Sequence, residues 1–124
     1  IEDLYARGLD KKVMLVVASD FGHTPKINTQ RGNATKVMQP GRDHWPQAMS
    51  VLVSGGGARM GQIIGATNDK GEHPVERIMS PNDLWATVYR HLGIDYNDYL
   101  RNIEGLPMQI LPFGKPIDEL AAAV

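Results

Sequence analysis

Apolar positions gather in two short runs in the first half of the chain. Val13-Met14-Leu15-Val16-Val17-Ala18 lies between Lys11-Lys12 and a Gly/Pro turn, and Ala48-Met49-Ser50-Val51-Leu52-Val53-Ser54 ends in Gly55-Gly56-Gly57. Such runs are too short for stable helices, so both read as buried strands of the parallel type. Asp20 then falls at the end of the first strand, at the carboxyl edge where open α/β sheets bind ligands. Further along the period changes. Leu84, Trp85, Val88, Tyr89 and Leu92 recur at helical spacing, which predicts a helix over 81–92 with its apolar stripe against the sheet. Ser80 is its N-cap, Pro81 its first residue and Gly93 its closing glycine, with Asp83 three residues past the cap.

Weaker patterns fill the remainder. Strand candidates at 62–67 and 75–79 flank Asn68-Asp69-Lys70-Gly71, a hairpin-turn composition. A helical turn is expected at 96–100, a last strand at 108–111, and a surface turn followed by a weak, alanine-ended helix in the tail. Asp20 to Pro46 is too polar and too rich in Gly, Pro, Asn and Gln for regular structure, so it reads as one long loop, and such loops are usually functional or disordered. The fold class expected is α/β, a mostly parallel sheet with a small antiparallel hairpin. The 124 residues fit one domain. The opening residues 1–8 read as the last turns of a helix entered from upstream, so a carboxy-terminal fragment of a longer protein is expected.

Charge and composition narrow the function classes. Thirteen basic and 14 acidic side chains leave a formal charge of -1, which gives no electrostatic case for nucleic-acid or membrane-surface partners. Cysteine is absent, which excludes disulfides, thiolate metal sites and a Cys nucleophile. No apolar run approaches the ~20 residues of a membrane span.

Asp20, His23, Asp43 and His44 are oxygen and nitrogen donors of the kind that suits zinc, manganese or iron, and Asp alone also serves magnesium or calcium. Their spacing matches no closed metal site, and the other reading is solvated loop residues that cap turns. Gly55-Gly56-Gly57-Ala58-Arg59 could offer backbone N–H groups to an anion, but it lacks the Lys-Ser/Thr of a P-loop, and a flexible turn is the better reading.

The segments Ser19-Asp20-Phe21-Gly22, Gly41-Arg42-Asp43-His44-Trp45-Pro46 and Val51-Leu52-Val53-Ser54-Gly55-Gly56-Gly57 together resemble an uncharacterised sulfatase-like family of the alkaline phosphatase superfamily, over about Lys11 to Leu120. The resemblance implies that residues 1–124 are a single carboxy-terminal fragment of a larger sulfatase-like domain, a partial sandwich of that superfamily. It implies a parent that hydrolyses a small sulfate or phosphate ester with a divalent metal (zinc, calcium or manganese). Asp20 and His44 match its metal-binding residues, and His23 would replace the His that many members have at the position of Phe21. His44 would alternatively donate a proton to the leaving alcohol, and by charge and position Arg42 or Lys26 would contact the transferred anion. The nucleophile belongs to the superfamily's amino-terminal half, so this fragment alone is expected to be inactive. An exported parent also fits the family. Phe21 favours the alternative of a degenerate, non-catalytic sulfatase-like binding or structural module. A fragment with unpaired sheet edges is further expected to form a homo-oligomer or to be poorly soluble.

Overall fold

The computed structural model describes residues 1–121. It resolves into two compact units, one of Ile1–Val16, Val53–Ile64 and Met79–Val124, the other of Val17–Leu52 and Gly65–Ile78. In the first unit α1 (Glu2–Ala6) leads to β1 (Met14–Val17, all but its last residue in this unit), which pairs with β6 (Leu52–Gly55, all but its first residue in this unit). In the second, β2 (Gly22–His23) pairs with β5 (His44–Trp45), β3 (Asn28–Arg31) with β4 (Met38–Gly41), and β7 (Ala66–Thr67) with β8 (Pro74–Glu76). The helix α2 (Pro81–Leu92), the hairpin of β9 (Tyr99–Arg101) with β10 (Pro107–Gln109), and a 3-10 turn at Asp118–Leu120 complete the first unit.

The expected mostly parallel α/β sandwich is therefore corrected. Every sheet described is a separate antiparallel pair, and the described helices are two, both short. A parallel strand needs cover on both faces, whereas β1 is only four residues long, half-buried at Met14 to Val16 and exposed at Val17. Its neighbour β6 runs against it: the Gly56 N–H donates to the Val13 carbonyl at 2.8 Å, which puts the end of β6 beside the start of β1. Asp20 consequently does not close a parallel strand at a ligand-binding edge.

The glycine run has a structural task here. A Cβ on Gly55 would lie 2.3 Å from the Val13 carbonyl oxygen, and φ is +77° at that residue. Only glycine fits both demands. Gly57 N–H donates to the Asp10 carbonyl at 3.0 Å, so two N–H groups of the run are used by backbone and are not offered to an anion.

Helix α2 has the predicted ends. Ser80 and Asp83 form a capping box, and Gly93 closes the helix with φ +71°. Its buried face is a different one from the apolar stripe, because Ala86 and Thr87 are buried while Trp85 and Leu92 are exposed. The residues from 114 onward explain this. Lys115 N–H donates to Asp83 Oδ1 at 2.8 Å, Ile117 N–H to Thr87 Oγ1 at 2.8 Å, and Arg90 Nη2 to the Ile117 carbonyl at 3.3 Å. Asp83, Thr87 and Arg90 lie on one face at helical spacing, so the strand-like strap 114–117 runs along that face and seats Ile117 and Leu120 as core.

The expected helical turn at 96–100 is replaced by an Asx turn. Asp95 Oδ1 accepts the Asn97 N–H at 2.9 Å, and β9 starts two residues later. The last strand begins one residue before its predicted start and ends two short of its predicted end, with Met108 opposite Leu100. The segments expected as strands at 62–67 and 75–79 pair only over β7 and β8. Part of the expected alanine-ended helix, 122–124, lies outside the described residues.

The long polar stretch 20–46 is also corrected, because it is not one irregular loop. It holds β2 to β5, and the ladder Asn28↔Gly41, Thr29↔Pro40, Gln30↔Gln39, Arg31↔Met38 is formed by residues with almost no apolar pattern. Backbone pairing, not burial, makes this hairpin, and periodicity cannot report a ladder that buries nothing.

Candidate functional site

The second unit brings the chemistry-bearing residues of the sequence into one neighbourhood, beginning with the two-residue ladder β2–β5. His23 and His44 are register partners, and Gly22 faces Trp45. Directly opposite residues share a face, so the imidazoles meet edge to face with ring centres 5.5 Å apart, and Phe21 lies 4.2 Å from His44 and 6.1 Å from His23. Gly22 permits the close approach. A Cβ there would come 1.8 Å from the Ala48 carbonyl oxygen.

Asp43 joins this ladder to the β3–β4 hairpin. Its backbone exchanges hydrogen bonds with Thr24, the Thr24 N–H reaching its carbonyl at 2.9 Å and its own N–H reaching Thr24 Oγ1 at 3.1 Å. Its carboxylate accepts from Asn28 Nδ2 and, at 2.7 Å, from Gln30 Nε2. Asp43 is thus a staple between two strand pairs.

Two cavities flank it. The first, of about 520 Å³, is walled by Arg31, Gln39, Arg42, Asp43 and His44 with the backbone around Gly32 and Gly41. Arg31 Nε is held by the Lys36 carbonyl at 2.8 Å, so the end of its guanidinium is fixed relative to β3. Arg42 has no hydrogen bond or ion pair among the described residues. The second cavity, of about 500 Å³, lies between Pro25, Lys26, Trp45, Lys70 and Glu72, and Asp43 is the residue common to both walls. Trp45 Nε1–H donates to the Glu72 carbonyl at 2.6 Å and fixes the indole plane.

The expected site residues are therefore distributed unevenly. His23 and His44 meet, and His44 also walls the first cavity with Arg42. Lys26 stands in the second. Asp20 is exposed, and its Oδ1 accepts the N–H of the next residue, Phe21, at 3.2 Å. Among the described residues no group of three or more His, Cys, Asp or Glu could hold a metal ion, so the expected metal-binding centre is corrected. Two imidazoles face each other without a carboxylate to complete a ligand set.

Asn28, Gln30, Arg31, Gln39 and Lys70 join the site without a sequence signal of their own. The amides of Asn28, Gln30 and Gln39 carry no motif, and they and Arg31 are placed by the β3–β4 register, which has no apolar signature, while Lys70 lies in the turn between β7 and β8. The sequence signal here is Asp43 itself, an acid beside His44.

Comparison with known proteins changes the family reading. No curated protein and no solved structure matches the chain. A family model described as "Protein of unknown function (DUF1501)" matches residues 1–121. This is not the sulfatase-like family that Ser19–Gly22 and Gly41–Pro46 resemble, so that recognition is withdrawn. Sulfate- or phosphate-ester hydrolysis, the ester substrate and the degenerate sulfatase-like module rested on that resemblance and are withdrawn with it. The chain belongs to the DUF1501 family of proteins of unknown function.

Proposed function

We propose that the second unit is a binding module for a small carboxylate, which seats its anionic group on Arg42 in the first cavity. The observation that carries this reading is the free guanidinium of Arg42 beside the anchored Arg31 in a cavity of ligand size. Arginine presents a planar fork that matches a carboxylate with two parallel hydrogen bonds. The charge of the wall favours a monoanion. Arg31 and Arg42 supply two positive charges and Asp43 one negative charge, which leaves one unit for the ligand to neutralise. Asn33 and Gln39 offer amides to a neighbouring hydroxyl or amide of the ligand, so a hydroxy- or acylamino-carboxylate suits the lining better than a bare anion.

Calorimetric titration with lactate and N-acetylglycine tests the reading, with N-acetylglycinamide and inorganic phosphate as comparators. Expected is saturable binding of the two carboxylates, loss of heat with the neutral amide, weaker binding of phosphate, and a loss of roughly tenfold or more in Arg42→Gln, the scale of a charge-assisted hydrogen bond. Equal binding of acid and amide would sink the proposal.

A further inference from the structure

We propose that the second cavity is a separate site for a planar aromatic ring bearing a carboxylate, with the ring on Trp45 and the carboxylate between Lys26 and Lys70. The indole is the first reason. Its N–H is already used on the Glu72 carbonyl, so what it presents to the cavity is ring surface held at a fixed angle. Such a face favours offset stacking with another flat ring. Pro25 supplies a second apolar wall, and the turn at Gly71 closes against it: a Cβ on Gly71 would lie 3.1 Å from Pro25 Cγ.

The distribution of satisfied and unsatisfied charge is the second reason. The Asp43 carboxylate is taken by Asn28 and Gln30, and Glu72 Oε2 faces Asn68 Nδ2 at 3.4 Å. Lys26 and Lys70 make no hydrogen bond or ion pair through their ammonium groups among the described residues. An entering anion meets two unspent cations. An entering cation meets carboxylates already engaged. The cavity, about 500 Å³, has the size of small-molecule sites.

The test uses the chain with Trp85→Phe, which leaves Trp45 as the single tryptophan of the two in the sequence. Titration with benzoate should change Trp45 fluorescence saturably. Benzamide, which lacks the charge, and cyclohexanecarboxylate, which lacks the flat ring, should each bind roughly tenfold more weakly, the scale of one charge-assisted hydrogen bond or one stacked ring. Lys26→Gln with Lys70→Gln should lose benzoate binding while circular dichroism stays unchanged, and Trp45→Phe, followed by calorimetry, should keep it. Arg42→Gln should leave the fluorescence response intact, which separates this site from the first cavity. No saturable response in the folded chain, equal affinity for benzoate and cyclohexanecarboxylate, or an unaffected double Lys variant would each overturn the proposal.

Discussion

Asn28 donates its side-chain amide to the carboxylate of Asp43, 15 positions further along the chain, and so ties the first residue of β3 to the entry of β5. With Gln30 on the other oxygen, the carboxylate is a connector between strand pairs that bury little apolar surface. The second unit has no buried hydrophobic residue, because Ala86, Ile117 and Leu120 all belong to the first. Its order rests on polar contacts, and Asp43 makes four of them, to Thr24, Asn28 and Gln30.

Asp43→Ala should therefore loosen both cavities at once. It removes the acceptors of the part-buried Asn28 amide and the exposed Gln30 amide, at a cost of about 2 kcal/mol by the usual value for bonds to charged groups discounted for exposure. Amide hydrogen exchange checks this. Protection should fall across 28–45 in the variant and stay unchanged across 81–92.

Gly22→Ala should be more damaging than its size suggests. The added methyl would meet the Ala48 carbonyl oxygen at 1.8 Å, and a backbone atom cannot rotate away as a side chain can. The β2–β5 ladder must then open, with a loss of about 3 kcal/mol or more, typical of overpacking that moves backbone. Loss of the cross-strand nuclear Overhauser effects between the His23 and His44 rings would show it, and their persistence would count against the geometry.

Thr87→Val tests the strap along α2. The substitution preserves shape but leaves the Ile117 N–H without its acceptor in a place where Thr87 is 3 % exposed. The expected cost is about 1–3 kcal/mol in chemical denaturation, the penalty for a buried donor left unpaired. Thr87→Ser should recover most of it, because the hydroxyl can also reach the Asp83 carbonyl that Thr87 binds at 2.8 Å.

What could be read from the sequence follows what carries a local signal. Ser80, Pro81, Asp83 and Gly93 fixed the ends of α2 because capping depends on residues within one turn. The buried face of α2 escaped, since the strap chooses it through Asp83, Thr87 and Arg90, and a polar face gives no moment toward the core. Parts of the two apolar runs are strands, Met14–Val17 and Leu52–Gly55, but apolarity does not report their relative direction, which the long excursion between them decides. The meeting of His23 and His44 was hidden for a related reason: it needs the 24–43 excursion to return in register, and that excursion is held by amides and backbone. The resemblance carried by the Gly-Arg-Asp-His-Trp-Pro block misled about family, while the same block does wall the cavities through Arg42, Asp43, His44 and Trp45.

The seat of the carboxylate on Arg42 can be observed directly by following arginine side-chain Nε–H resonances in ¹⁵N-labelled protein during titration with N-acetylglycine. The Arg42 signal, assigned by its absence in Arg42→Gln, should shift saturably, while Arg7, paired with Asp3 at 2.9 Å, should not move. An unmoved Arg42 signal at ligand concentrations that saturate the heat of binding would contradict the seat and place the carboxylate elsewhere.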